Sequence, residues 1–269
     1  MEYEGRHYPD NPFERMMKVK VEDSSKGRFQ FDETYPYLDD SFGYKLCRLG
    51  NSLLLQCLII PYMKLTLGLK VEGRDILKKY KDELKGGAVT VCNHVFVADA
   101  VAVAYALRKF RSLHLPSFGK HFNNKGFYWF LHSLGGVPVP ETMGGMRGFD
   151  DAFETFHKRG EWIHVFPEYV RWDYYPYVRP FRKGAFTMAY KYNCPLIPLV
   201  ITFKKKPFFG FLAPKKWKGM TIHILEPVFP DRTATRKSEV IRLREEAQKR
   251  MVEGAGIQNN IWPAIPDDE

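Results

Sequence analysis

The chain has 269 residues, 45% of them hydrophobic, which allows one large domain or two small ones and excludes a disordered chain. Lys plus Arg total 41 against 31 Asp plus Glu, a formal charge of +10. That balance suits an anionic partner, whether nucleic acid, an acidic membrane face or a phosphorylated small molecule, and composition does not choose among them. Cys47, Cys57, Cys92 and Cys194 form no CxxC pair and sit in apolar contexts. They argue against a zinc site or a disulfide framework and read as buried free thiols in a reducing compartment.

In chain order, residues 1–40 are polar and read as an arm with little structure of its own. Their first twenty residues are charged and lack the apolar core of a signal peptide. Residues 41–69 hold the longest apolar stretch, Leu46 to Leu69, interrupted by Arg48, Asn51, Gln56, Pro61 and Lys64. A span needs about 20 mostly apolar residues. The expectation is therefore an amphipathic helix lying in a membrane interface, with a packed core helix or a tilted span as the alternatives. Residues 70–269 then form one domain.

In that domain short β-branched runs bounded by Gly or Pro predict strands at Leu69–Gly73, Gly87–Cys92, Gly135–Pro140, Trp162–Glu168, Pro195–Phe203 and Met220–Pro227. Helical patterns fall at Val97–Phe110, Lys125–Leu134, Gly148–Lys158, Lys183–Tyr192 and Ser238–Glu253, the last with Ser238 as its expected cap. Such alternation argues for an α/β fold, a single αβ sandwich around a largely buried sheet. There is no internal repeat and no low-complexity tract.

Chemistry concentrates after the second strand. His94 and Asp99 stand five residues apart in an otherwise apolar run. A buried imidazole or carboxylate costs several kcal/mol without a partner, so the two are expected to satisfy each other or to act together. With His94 in the turn and Asp99 in the helix, the carboxylate reaches back to the ring. It would hold the tautomer while the imidazole takes a proton from a hydroxyl. Asn93 is expected to tie the turn down. Cys92 points to the other side of the strand and reads as structural. No nucleophilic Ser or Cys is placed for a covalent intermediate.

Further on, Phe166-Pro167-Glu168 ends a strand, Arg171 follows three residues later, Lys183-Gly184-Ala185 opens a helix, and Pro195-Leu196-Ile197-Pro198 begins a strand. Together with Asn93, His94 and Asp99, this ordered set over residues 70–230 resembles the glycerolipid acyltransferase family. The resemblance implies transfer of a fatty acyl group from acyl-CoA or acyl-carrier protein to a hydroxyl of a lysoglycerolipid such as 1-acylglycerol-3-phosphate, in phospholipid biosynthesis or remodelling. It implies His94 and Asp99 as the catalytic pair, with Asn93, Glu168, Arg171, Lys120, Lys183 and Gly184 toward substrate. It implies no metal and no cofactor beyond the thioester co-substrate.

Two departures stand out. Tyr169 and Val170 replace the Gly-Thr usual in that block, and Glu141 falls where the family places an arginine that grips a phosphate. Either Arg147, Arg179 or Arg182 replaces that charge, or the acceptor carries another head group, as in a glycolipid or an amino lipid. A thioester or lipid hydrolase using His94 on water is the alternative reaction. Phe203–Met220 holds six lysines, no acids and several aromatic residues, a mixture that an anionic bilayer attracts. No nucleic-acid motif accompanies it. The expected place of work is the cytoplasmic face of the cell membrane, peripheral or monotopic. Arg171–Lys183 is expected to line the acceptor entrance.

Overall fold

The computed structural model describes residues 1–15, 29–123 and 125–265. A short hairpin, β1 (Glu2–Tyr3) and β2 (Arg6–His7), opens the chain. The body is a seven-stranded sheet of β3 (Lys70–Glu72), β4 (Val89–Cys92), β5 (Leu113–Phe118), β6 (Gly136–Val139), β7 (Trp162–Val165), β8 (Leu196–Lys204) and β9 (Gly219–Ile224). Their order is β3-β9-β8-β4-β7-β5-β6. From β8 to β6 neighbouring strands are parallel, while β9 pairs antiparallel with β8 and β3 runs parallel to β9.

All four residues of β4 are buried, as a central parallel strand covered on both faces requires. One face is covered by α4 (Asp99–Leu107) and the helix before β3, in a core that includes Met63, Val101, Val103, Leu199 and Ile222. The other is covered by α7 (Met143–Lys158), α8 (Gly184–Tyr192) and α9 (Arg236–Gly254), through Phe149, Phe153, Phe186, Leu243 and Met251. The architecture is the expected αβ sandwich. The shorter helices α3 (Arg74–Lys79), α5 (Gly119–Phe122) and α6 (Lys125–Ser133) join these layers.

Three local expectations need correction. α9 is capped by Thr235, whose Oγ1 accepts the Ser238 N–H, so Ser238 lies inside the first turn. Thr142 caps α7 in the same way through the Gly145 N–H, starting it five residues before the predicted Gly148. β5 escapes the pattern because Pro116 interrupts it. β7 pairs only with Leu113 and His114, so Pro116 lies beyond that ladder, where no N–H is needed on that side. At the start of β6, Gly135 has φ +98, and a Cβ there would lie 2.0 Å from the Leu113 carbonyl oxygen. Only glycine fits.

Residues Phe42–Leu67 form one continuous helix of 26 residues, long and apolar enough to cross a membrane by length and composition. It consists of α1 (Phe42–Leu54), a π turn at Leu55–Ile59 and α2 (Ile60–Leu67). Pro61 explains the π turn: it lacks an N–H, its ring crowds the preceding turn, and the Ile60 N–H shifts to the Leu55 carbonyl. Arg48 and Ser52 face inward, and Arg48 donates from Nη2 to the Leu113 carbonyl at 3.0 Å. Phe42, Leu46, Leu53, Leu54 and Leu58 face outward. Cys47 and Cys57 are exposed on this helix, so the buried-thiol expectation holds only for Cys92 and Cys194.

The described residues of the N-terminal arm, 1–15 and 29–40, have little regular structure but are packed down. Tyr8, Phe31 and Tyr37 are buried.

Candidate active site

The parallel strands bring four chain segments to one edge of the sheet, at the carboxyl ends of β4, β7, β5 and β8, where α/β folds place their ligands. His94 lies in the turn after β4 and Asp99 is the first residue of α4. The His94 Nδ1 is 2.6 Å from Asp99 Oδ2. Asp99 is 2% exposed and also accepts the Ala100 N–H at 2.8 Å, which keeps the carboxylate oriented. An ionised Asp99 only accepts, so Nδ1 carries the proton and Nε2 presents a lone pair. The ring stacks on Phe166 at 4.2 Å with an 18° interplanar angle. About a quarter of the His94 side chain remains open, 23%.

The turn that carries His94 is clamped from two sides. Asn93 donates from Nδ2 to the Ile201 carbonyl at 3.0 Å and accepts the Ile201 N–H at 2.8 Å, tying β4 to β8. Glu168 accepts the His94 N–H at 2.9 Å through Oε2. Arg179 donates to that same oxygen from Nη2 at 2.9 Å, and its backbone N–H bonds Oε1 at 2.9 Å. Glu168 and Arg179 are both fully buried. Asn93, 3% exposed, and Glu168, fully buried, were expected toward substrate, and the structure engages their side-chain polar atoms with protein. These bonds hold the turn that carries His94.

Other expected residues fall differently. Arg171 is 40% exposed and paired through Nε with Asp173 at 2.8 Å. Lys183 and Gly184 begin α8 on the surface; Arg182, just before them, bonds the Pro167 carbonyl through its N–H at 2.8 Å. The side chain of Lys120 lies outside the described residues. Arg179, one proposed substitute for the displaced phosphate-binding charge, is sealed against Glu168, and the segment from Arg171 to Lys183 is mostly core: Trp172, Tyr174, Tyr175 and Phe181 are buried. It does not line an entrance along its length. Glu141 sits past β6, with Asp32 and Glu33 around Tyr37; burial and then these three charges push the Tyr37 hydroxyl up to about 12.

Tyr169, standing where the family has glycine, keeps a left-handed backbone with φ +70. For a bulky residue that conformation is strained by about 1–2 kcal/mol. Its ring meets Phe118 edge-on at 4.8 Å. Beneath the site, His164 is completely buried, with Nδ1 2.8 Å from Thr90 Oγ1. Burial, with the nearby His94 as a smaller cause, lowers its pKa to about 3 and keeps it neutral. Burial also raises the Cys92 thiol, which makes it an inert core residue.

A cleft of about 570 Å³ opens next to Asn93, the residue before His94. Tyr174, Phe203 and Trp217 line it, with Lys204, Lys205 and Lys218. Lys218 is paired with Glu4, whereas Lys204 and Lys205 are exposed. Sequence reasoning singled out these lysines only as membrane contacts. Lys204 and Lys205 come beside Asn93 because β8 lies next to β4, which no local pattern reveals.

Comparison with known proteins agrees with this arrangement. A family model for acyltransferases matches residues 68–202. An uncharacterized acyltransferase of Schizosaccharomyces pombe is 26% identical over 133 residues, 49% of this chain and 46% of that protein. The chain thus spans about half the length of this curated relative. The crystal structure of the 1-acyl-sn-glycerophosphate acyltransferase of Thermotoga maritima superposes with a TM-score of 0.53 at 22% identity, covering 84% of this chain and 87% of that one. That likeness concerns the fold. The matched segment, half of the chain, holds both blocks that build the His94 turn, and the chain belongs to the acyltransferase family.

Proposed function

We propose that this protein transfers a fatty acyl group from a phosphopantetheine thioester, acyl-CoA or acyl-carrier protein, to a hydroxyl of a lysoglycerolipid. The observation that carries the reading is the 2.6 Å contact of His94 Nδ1 with buried Asp99, which leaves Nε2 as the base on a side chain still 23% exposed. Nε2 takes the acceptor's O–H proton as the oxygen attacks the thioester carbonyl. Asp99 stabilises the imidazolium that forms. That attack forms the C–O bond and a tetrahedral intermediate, whose collapse re-forms the C=O double bond and breaks C–S while the imidazolium returns the proton to the departing thiolate. A thioester is already activated, so alignment and deprotonation supply most of what the reaction needs.

The cleft beside Asn93 suits the donor. Lys204 and Lys205 complement its phosphates, and Tyr174, Phe203 and Trp217 give its apolar parts a surface. The outward face of Phe42–Leu67 and the 3-10 turn Phe208–Leu212 suit a membrane surface. Phe208 and Phe211 are 85% and 71% exposed, Tyr62 bonds the Leu212 carbonyl to join turn and helix, and Lys205, Lys206, Lys215 and Lys216 surround the turn. Such a face holds a peripheral enzyme where lysolipids reside, at the cytoplasmic face of the membrane.

The test is a transfer assay on lipid vesicles with acyl-CoA and acyl-carrier protein as separate donors and a panel of lysolipids as acceptors. The reading expects one donor–acceptor combination to yield a diacyl product. Free fatty acid released at the same rate with and without acceptor would make the protein a hydrolase instead.

A further inference from the structure

The N-terminal arm does more than cover the core. It is fastened to the segment after β7 residue by residue. The Tyr8 hydroxyl, fully buried, donates to the Asp173 carbonyl at 2.9 Å. The Pro12 carbonyl accepts Arg179 Nη1 at 2.6 Å, from the same guanidinium that holds Glu168. The Phe13 ring lies 3.9 Å from the Arg182 guanidinium carbon, and the Glu14 carbonyl accepts the Trp172 indole N–H at 2.7 Å. The chain is therefore held up to the residue before Arg15.

Arg15 lies against the carboxyl end of β5, one of the strand ends that surround His94. Its guanidinium carbon lies 5.2 Å from the centroid of Phe118, the last residue of β5. The same ring meets Tyr169 at 4.8 Å and His121 at 6.1 Å. Desolvation and then electrostatic interaction with Arg15, His94 and Arg171 lower the pKa of His121, so all three side chains lie within electrostatic reach of one imidazole. Glu141 belongs instead to the acidic group around Tyr37. Among the described residues Arg15 has no carboxylate partner, while Arg171 is tied to Asp173 through Nε alone.

Two guanidinium groups, one from the arm and one from the loop after β7, thus act on the same imidazole, and the Phe118 ring under Arg15 touches Tyr169, two residues before Arg171. A planar fork stacked on a ring keeps its N–H groups for an oxyanion. We propose that Arg15 is a specificity-determining residue that, together with Arg171, grips the phosphate of the acceptor's head group. This inference rests on the acyl-transfer reading for the identity of the ligand. It assigns to the arm a recognition role that its polar sequence does not announce. It also supplies the positive charge that Glu141 appeared to remove.

The experiment compares Arg15→Gln with the unaltered protein on two acceptors, 1-acylglycerol-3-phosphate and the corresponding monoacylglycerol, with one acyl thioester. The substitution removes a charge-assisted contact and should raise KM for the phosphorylated acceptor about 10- to 100-fold. Both kcat and transfer to monoacylglycerol should change less than about twofold, and Arg15→Lys should recover part of the loss. An unchanged KM, or an equal loss on both acceptors, overturns the proposal. Calorimetric binding of 1-acylglycerol-3-phosphate separates the two readings. If no acyl transfer occurs yet Arg15→Gln weakens binding by the same factor, the head-group site stands and the transfer reading falls. If binding is indifferent to Arg15, the site falls whatever the turnover.

Discussion

The strand ends around His94 and the outer face of Phe42–Leu67 depart from ordinary burial in opposite directions. At the first, Asn93, Asp99, Glu168 and Arg179 are polar or charged and no more than 3% exposed. At the second, Phe42, Leu46, Leu53 and Leu58 are apolar and 54–82% exposed. Each buried polar side chain has protein partners that offset its desolvation. The exposed apolar residues have no such cover. The first region is thus complete within the chain, and its product is one free imidazole nitrogen. The second is complete only against something apolar outside the chain.

Substitutions should separate these regions cleanly. The largest effect is expected at Asp99→Asn, which keeps the shape but removes the charge that holds the His94 tautomer. The rate of transfer should fall about 1,000- to 10,000-fold, by analogy with other His–carboxylate pairs, with the melting temperature little changed. A fall below tenfold would remove Asp99 from the mechanism. Glu168→Gln should act on the fold instead. It leaves Arg179 charged, buried and poorly matched, a loss of about 3–5 kcal/mol in unfolding free energy, and denaturant titration reads it. Normal stability there would mean that the clamp on the His94 turn lies elsewhere.

Phe208→Ser with Phe211→Ser should leave both stability and soluble-substrate turnover alone. It should weaken partitioning onto anionic vesicles at least about tenfold, since each ring withdrawn from lipid forfeits on the order of 1.5–3 kcal/mol. Undiminished vesicle binding would detach the 3-10 turn from the membrane face. The effect that is absent at neutral pH and grows only on acidification concerns His164. Its folded pKa, about 3, lies below the ordinary value of 6.5. The unfolded chain therefore binds the extra proton, and stability is full above pH 6.5 and falls as the pH drops toward 3. The slope is up to about 1.4 kcal/mol per pH unit. The difference between the protein and His164→Gln, followed from pH 7 to 4, should show that slope; a pH-independent difference contradicts the burial argument.

The sheet and the pairing of His94 with Asp99 were readable because their signals are local. β4, β7 and β8 are apolar, β-branched and bounded by Gly or Pro, and His94 and Asp99 lie within one strand–turn–helix unit. What stayed hidden depends on distant neighbours. Arg179 looks like any surface arginine in a run of aromatics until Glu168 and Pro12 close around it. Glu168 looked like a substrate ligand because sequence does not report that its partner is the His94 N–H. The arm read as unstructured because it has no periodicity. Its signal was the spacing of Tyr8, Phe13, Phe31 and Tyr37, aromatic residues too frequent for a free polar tail. Arg48 and Ser52 broke the apolar run in sequence, yet they face the protein and the leucines face outward, an inversion that only packing against β5 exposes.

The central claim is that His94 Nε2 takes the acceptor proton. The most direct measurement is single-turnover acyl transfer on lipid vesicles by the protein and by His94→Ala, alongside thermal unfolding of both. The account predicts that the substitution abolishes transfer, to below about one part in a thousand, while the melting temperature is preserved, as for a general base whose removal leaves the surrounding clamp intact. Transfer by a folded His94→Ala protein at near the original rate would contradict it.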